Sequence, residues 1–258
     1  MIEIPKGLEV VYHPKGEALE YGQLALNVYL GCTHGCTYCY AAQAIRKTKD
    51  QFFQRPKPRP NFFANLAHDI RKLEPFAADL PPIWMSPIGD PFQPCEDEYH
   101  ITRDTIRLLK QSGLSIQLLT KAAHVADETM ALLDERDWFG VTLTSWSSAR
   151  DLEPKAGSPK DRYRMLAQAW DRDVACWVSS EPIMAVDQIE DIVAESEIFT
   201  DHFKFGPLNY APRGYELADA AREVRRVMAL YGYAEGAMER GRRTFYLKES
   251  LRKAEVQE

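Results

Sequence analysis

Cys32, Cys36 and Cys39 fall within eight residues, in the stretch Gly31-Cys32-Thr33-His34-Gly35-Cys36-Thr37-Tyr38-Cys39-Tyr40. Thiolates at this C-x3-C-x2-C spacing can bind zinc or an iron–sulfur cluster. A structural zinc site ordinarily draws four ligands from two paired knuckles, and this chain has no second knuckle. His34 could be a fourth ligand, but it would have to reach from inside the same tight loop. A cubane held by three Cys keeps one iron without a protein ligand, and an open coordination position is a catalytic arrangement. Cys95 and Cys176 stand far from the loop. Five Cys in 258 residues do not read as a secreted disulfide scaffold, which would be shorter and denser in Cys. On the loop alone, a zinc module, a passive cluster carrier and a catalytic cluster all stay open.

Such a loop needs a frame. Short apolar runs rich in β-branched and aromatic residues recur at Leu24–Leu30, Ile83–Ser86, Ser115–Thr120, Phe139–Thr144, Val174–Ser179, His202–Phe205 and Thr244–Leu247, and each reads as a buried strand. Between them lie amphipathic stretches. Ile189, Ile192, Val193 and Phe199 share one helical face, Leu217 to Tyr231 keep the period for four turns, and Gly113 follows a helix ending near Gln111. Alternating strands and helices predict an α/β chain with a parallel sheet. The number of units suits a partial (β/α)6-type barrel, with a flat doubly wound sheet as the alternative. We expect an N-terminal extension over 1–23, the barrel over 24–210, and a C-terminal helix and strand over 211–258 packed on it. In either architecture chemistry sits at the C-terminal ends of the strands, and the cysteine loop follows the first run at once.

Composition is that of an ordinary globular protein, with 45% apolar and 27% charged residues and a net charge of -6. No run approaches the ~18 apolar residues of a membrane span, and Met1 to Tyr12 carries no secretory pattern, so the expected location is cytoplasmic, away from membranes. The negative balance argues against coating nucleic acid through bulk charge.

The motif C-x3-C-x-aromatic-C after a first strand resembles the signature of radical S-adenosylmethionine enzymes. More closely, the chain is similar to the spore photoproduct lyase-like branch, called DNA repair photolyases. The likeness rests on Gly31 to Tyr40, on Gly89-Asp90-Pro91-Phe92-Gln93-Pro94, on Leu119-Thr120-Lys121, and on Glu153-Pro154 with Ser158-Pro159 and Arg162. It implies a partial βα barrel and a [4Fe–4S] cluster on Cys32, Cys36 and Cys39. It implies that S-adenosylmethionine chelates the fourth iron, and that Tyr38 lies near the adenine. It further implies reductive cleavage to a 5′-deoxyadenosyl radical that abstracts hydrogen from a substrate, with the electron supplied by a carrier such as flavodoxin or ferredoxin.

Several residues are candidates for the cofactor pocket. The usual Gly-Gly-Glu-like stretch after the second strand is missing, and Ser86-Pro87-Ile88-Gly89-Asp90 stands in its place. Ser86 and Asp90 could accept from the cofactor's amino group, although Asp90 before proline also reads as a turn residue. Lys121 could pair with its carboxylate or snorkel at a strand edge. Thr142 and Thr144 share strand parity and could reach the ribose or carboxylate. Arg162 could face the site or pair with Glu153 on the surface. Glu181 and Lys204 are interior candidates for an ion pair between strands. Cys95 is the candidate hydrogen donor within reach of the pocket. It does not match the lyase's thiol, which precedes the Ser/Thr-Asp element, where this chain has Trp84-Met85-Ser86-Pro87. Thymine-dimer repair is therefore not expected. Finally, Arg46 to Phe63 carries six basic residues against Asp50, with four interleaved phenylalanines. Prolines 56, 58 and 60 predict a stiff, extended loop, and it could bind single-stranded nucleic acid or pack its rings on the barrel.

Overall fold

The computed structural model describes residues 4–54, 56–208 and 216–256. Arg55, Asn209 and the expected boundary at 210/211 lie outside them. Ten strands are present among the described residues: β1 (Leu24–Leu26), β2 (Tyr29–Leu30), β3 (Lys57–Pro58), β4 (Ile83–Met85), β5 (Ile116–Thr120), β6 (Trp138–Thr142), β7 (Ala175–Ser180), β8 (His202–Phe205), β9 (Ala234–Glu235) and β10 (Thr244–Leu247). Eight form one sheet in the order β1-β4-β5-β6-β7-β8-β10-β9, and every pairing in it is parallel.

That order decides between the two expected architectures. A doubly wound sheet reverses its strand order at a switch point. Here β1, β4, β5, β6, β7 and β8 follow one another in chain order without reversal, as in a partial barrel, and the order inverts only at the C-terminal β10-β9 edge. The C-terminal segment continues it, because β10 pairs with β8 from Thr244↔His202 to Leu247↔Phe205.

The two faces of the sheet carry different cores. Leu118, Phe139, Cys176, Val178, Phe203 and Phe205 point outward into the large cluster that the surrounding helices cover. The inner face holds a smaller cluster of Trp138, Ala175 and Trp177, with Tyr21 and Leu119 against it. Gly140 makes this packing possible, since a Cβ there would stand 2.3 Å from Trp177 Nε1. Tyr21 fills the space above, stacked on Trp84 at 4.5 Å between ring centroids.

The first expected strand is interrupted. Asn27 turns its side chain to the Ile88 N–H (2.7 Å) and to the Tyr12 hydroxyl (2.7 Å), and the chain leaves the sheet. Tyr29–Leu30 then pairs antiparallel with Lys57–Pro58. Arg46 to Phe63 is the extended segment expected only around its prolines, where Lys57–Pro58 forms β3. A capping box of Thr48 and Gln51 starts a helix at Lys49–Phe53, and a second helix spans Phe62–Leu73. Phe52 and Phe62 are buried, and Phe53 and Phe63 pack half-buried against the two apolar clusters. These rings serve packing and are not offered as stacking platforms for bases.

Candidate functional site

The cysteine loop is held from several sides. Gly31 has φ +100, and a Cβ there would stand 2.7 Å from the Phe52 carbonyl oxygen. Gly89, at φ +107, lets its own backbone come so close that a Cβ would lie 3.0 Å from the Gly31 oxygen. Both positions therefore demand glycine. Gln93, fully buried, bridges the loop with one side-chain amide: its Nε2 donates to Gly31 O (3.2 Å) and its Oε1 accepts from Thr33 N (3.0 Å). Cys32 N donates to Phe52 O (3.1 Å), Thr37 N to Leu152 O (2.9 Å) and Lys49 Nζ to Thr37 O (2.7 Å).

Asp90 ties this loop to the strand ends. Its Oδ1 accepts from Phe92 N (2.9 Å) and Thr120 Oγ1 (2.7 Å), and its Oδ2 accepts from Lys121 N (2.7 Å). His34 Nδ1 stands 3.5 Å from Asp90 Oδ2. Burial lowers the His34 pKa, and Asp90 only partly opposes the fall, so the ring is neutral at pH 7. The turn role expected of Asp90 is seen in its bond from Phe92 N, and most of the carboxylate's lone pairs are taken by the protein.

Cys32, Cys36 and Cys39 line a single cavity of about 130 Å³ together with Tyr38, Asp90 and Lys121. Burial raises the Cys32 thiol, and Cys36 to about 11; a bound cation would act in the opposite sense. Among the described residues, no three His, Cys, Asp or Glu side chains gather tightly around one metal-ion position. Lys121 Nζ lies 5.8 Å from the Tyr38 ring centroid and, among the described residues, makes no ion pair. A second cavity of about 110 Å³ shares Asp90, Lys121 and Glu181 with the first and reaches Ser86, Thr142 and Ser179 inside the barrel. Ser86 has φ +61, and its buried hydroxyl has no hydrogen-bond partner among the described residues. A buried orphan hydroxyl is costly unless something else satisfies it.

Among solved structures, spore photoproduct lyase aligns at a TM-score of 0.70 and 12% identity, over 95% of this chain and 80% of that one. A second structure of that enzyme, with bound AdoMet and dinucleoside spore photoproduct, aligns over the same shares at 0.68 and 12% identity. Streptococcus suis SuiB bound to S-adenosylmethionine aligns at 0.65 and 14% identity, over 90% of this chain and 52% of that one. The fold is the radical S-adenosylmethionine fold, in the form seen in spore photoproduct lyase.

No family model matches the chain. An uncharacterized protein of Methanocaldococcus jannaschii is 25% identical over 200 residues, 71% of this chain and 70% of its own length. An uncharacterized protein of Mycobacterium bovis is 22% identical over 187 residues, 66% of this chain and 52% of its own length. The chain thus spans about half of that mycobacterial relative.

Within the radical S-adenosylmethionine fold, the other expected residues divide. Thr142 ends β6 and faces the inner cavity, whereas Thr144 lies past the strand end and gives its hydroxyl to Glu153 Oε1 (3.0 Å). Arg162 is on no wall of the thiol cavity and is not a surface residue. Fully buried, it donates to Thr142 O (2.7 Å), to Gly157 O (2.7 Å) and to Glu153 Oε2. Glu153 also accepts from the Tyr38 hydroxyl. Burial alone would raise the Glu153 pKa, but Arg162 and Lys121 outweigh it and hold the carboxyl below its usual value. Glu181 does not pair with Lys204. It accepts from Lys248 Nζ (2.7 Å) and from the Tyr21 hydroxyl. Lys204 instead donates to Glu20 O and sits 3.7 Å from the Tyr21 ring centroid, where burial lowers its pKa to about 7. Cys95 packs beside the main core and does not line the thiol cavity. Cys176 is a core thiol donating to Leu166 O and Val174 O. Sequence reasoning missed the clamping role of Gln93, although the residue lies inside a quoted motif, and it missed Tyr21, whose position just before β1 was the available signal.

Proposed function

We propose that this chain is a radical S-adenosylmethionine enzyme, with one [4Fe–4S] cluster on Cys32, Cys36 and Cys39 and the cofactor in the adjoining cavities. The observation that carries this reading is the shared wall: three thiols, a buried acid and a lysine that makes no ion pair among the described residues face one cavity at the strand ends of this fold. The orphan Ser86 hydroxyl fits a cofactor amino group, and Lys121 fits its carboxylate. When bound, the pair supplies one-electron cleavage of the sulfonium and hydrogen abstraction from a substrate.

The chain's own residues then have distinct tasks. Gln93, Gly31 and Gly89 fix the thiol loop against the strand ends. Asp90 sets the height of the Lys121 backbone, and its remaining acceptor capacity and Ser86 receive the amino group. Lys121, over the Tyr38 ring, would meet the carboxylate, and Tyr38 would lie beside the adenine. Thr142 borders the inner cavity toward the ribose. Glu153, Thr144 and Arg162 act behind this wall by holding the Tyr38 hydroxyl. Cys95, off the cavity, is left without a proposed role in hydrogen transfer, and the substrate class stays open. The test is anaerobic reconstitution followed by a dithionite-driven assay for 5′-deoxyadenosine. Wild type should form it and Cys36→Ala should not. A reconstituted wild-type cluster that binds the cofactor but yields no 5′-deoxyadenosine would overturn the enzymatic reading.

A further inference from the structure

A cavity of about 610 Å³ opens beside the two already described, between the N-terminal extension and the C-terminal segment. It shares Tyr40, Pro87 and Glu181 with the thiol cavity, and Tyr21 and Trp84 with the inner one. Its size is that of a small-molecule site, for which about 300–1,000 Å³ is usual. Its walls are fixed. Asp69, fully buried, accepts from the N–H groups of Glu9, Val10 and Val11, each at 2.8 Å, and Tyr12 and Ala25 exchange two backbone bonds. Farther along, Glu20 accepts from the Tyr246 hydroxyl (2.9 Å) and from Glu249 N (3.0 Å), which fastens the extension to the C-terminal segment.

Two features of the wall describe a ligand. The rings of Tyr12, Tyr21, Tyr40 and Trp84 line it, and Trp84 keeps a buried indole N–H with no hydrogen-bond partner among the described residues. Such a wall suits a flat, unsaturated group, and the idle N–H suits an acceptor. The charges come in balance, Lys15 and Lys248 against Glu17 and Glu181. Lys248, 4% exposed at its side chain, holds both carboxylates, Glu181 Oε1 at 2.7 Å and Glu17 Oε2 at 3.2 Å. The Glu17 bond is the longer, and the Glu17 side chain is 58% exposed. It is the half of the network that a ligand can open while Glu181 keeps Lys248 neutralised. An anion alone would leave Glu17 without its cation, and a cation alone would take Glu17 from Lys248 and return nothing. A zwitterion leaves neither unpaired, because its carboxylate meets Lys248 and its ammonium meets Glu17. A phosphate-bearing ligand would meet two carboxylates in the wall, which disfavours a nucleotide.

We propose that this cavity binds a free aromatic α-amino acid, its ring among the four aromatic side chains and its zwitterionic end between Glu17 and Lys248. The edge shared with the thiol cavity then presents the amino acid to the cluster and cofactor. That second part rests on the radical S-adenosylmethionine reading above, and the binding itself does not.

The test is titration calorimetry of reconstituted full-length protein, loaded with S-adenosylmethionine, against L-phenylalanine, L-tyrosine and L-tryptophan. At least one should bind with a Kd below about 1 mM. Its deaminated and decarboxylated analogues, such as 3-phenylpropionate and phenethylamine for phenylalanine, should each bind about fivefold weaker or worse. Glu17→Gln, a change on an exposed side chain, should bring the amino acid and its deaminated analogue within about twofold of each other, whereas a merely distorted pocket would weaken both alike. The binding is overturned if none of the three binds, if either analogue matches the amino acid, if Glu17→Gln keeps the wild-type preference, or if adenosine or thymidine outbinds all three. Dithionite-driven 5′-deoxyadenosine formation is followed with and without the amino acid. Acceleration of about twofold or more supports presentation to the thiol cavity, and bound amino acid without acceleration overturns it. No 5′-deoxyadenosine under either condition would sink the functional reading and leave the binding site standing.

Discussion

Replacing Arg162 with Met should destabilise the protein more than any surface change, and the effect should depend on pH. Arg162 and Glu153 are 1% and 0% exposed at their side chains, so no water replaces the lost cation. Breaking a buried pair from one side costs about 3–5 kcal/mol, a large part of a typical total of about 5–15 kcal/mol. The carbonyls of Thr142 and Gly157 lose their donors as well. In wild type the Glu153 pKa lies below its unfolded value, so its stabilising contribution is present above that value and is lost as pH falls through the depressed one. Without Arg162, burial prevails and the pKa rises above the unfolded value. The carboxylate then destabilises at neutral pH and is relieved as pH falls. The gap between wild type and variant should be widest at about pH 7 and narrower at about pH 5. Urea unfolding of cluster-free, reduced protein at both pH values measures it. Adding Glu153→Gln should recover a substantial part of the loss. A gap under about 1 kcal/mol at neutral pH, or one that widens on acidification, would refute this account.

Alanine at Cys32, Cys36 or Cys39 should each remove most reconstituted iron, while Cys95→Ser with Cys176→Ser should leave the cluster absorbance intact; a large loss in the latter protein would reveal a different ligand set. Lys121→Met should weaken S-adenosylmethionine binding about ten- to a hundredfold in a titration of reconstituted protein, the equivalent of one charge-assisted contact of about 1.5–3 kcal/mol. Equal affinity would remove Lys121 from the pocket. Lys204, with its folded pKa lowered to about 7, binds its proton less readily than the unfolded chain. Its contribution to stability should rise by up to about 1.4 kcal/mol per pH unit above that value, and Lys204→Met should flatten the stability profile over about pH 7 to pH 9. A variant profile as steep as wild type would show that the lysine titrates normally.

The sequence displayed the strands well because burial on both faces leaves near-continuous apolar runs, and His202–Phe205 and Thr244–Leu247 match to the residue. It was a weaker guide where a polar side chain replaces a ladder bond. Asn27 ends β1 through two side-chain contacts that no periodicity encodes. The parity of Thr142 and Thr144 was sound only while the strand lasted, and it ends between them. In Arg46 to Phe63 the prolines do mark extended chain at Lys57–Pro58, but they say nothing of the stretch before them, where the Thr48–Gln51 box sets a helix that turns Phe52 inward. The thiols were legible from spacing alone. The partners of Asp90, Gln93 and Glu153 were not, since each depends on segments far away in the chain that only the folded barrel brings together.

Tyr21 sets the traffic through this molecule. Its ring stacks on Trp84, its hydroxyl meets Ser179 at 3.0 Å, and beneath it Trp177 presses on Gly140 and donates to Leu118 O at 2.9 Å. At the starts of β6 and β7 the inner face is filled by Trp138, Ala175 and Trp177. If the proposed function holds, a small molecule would reach the thiols, and leave them, from the opposite ends of those strands.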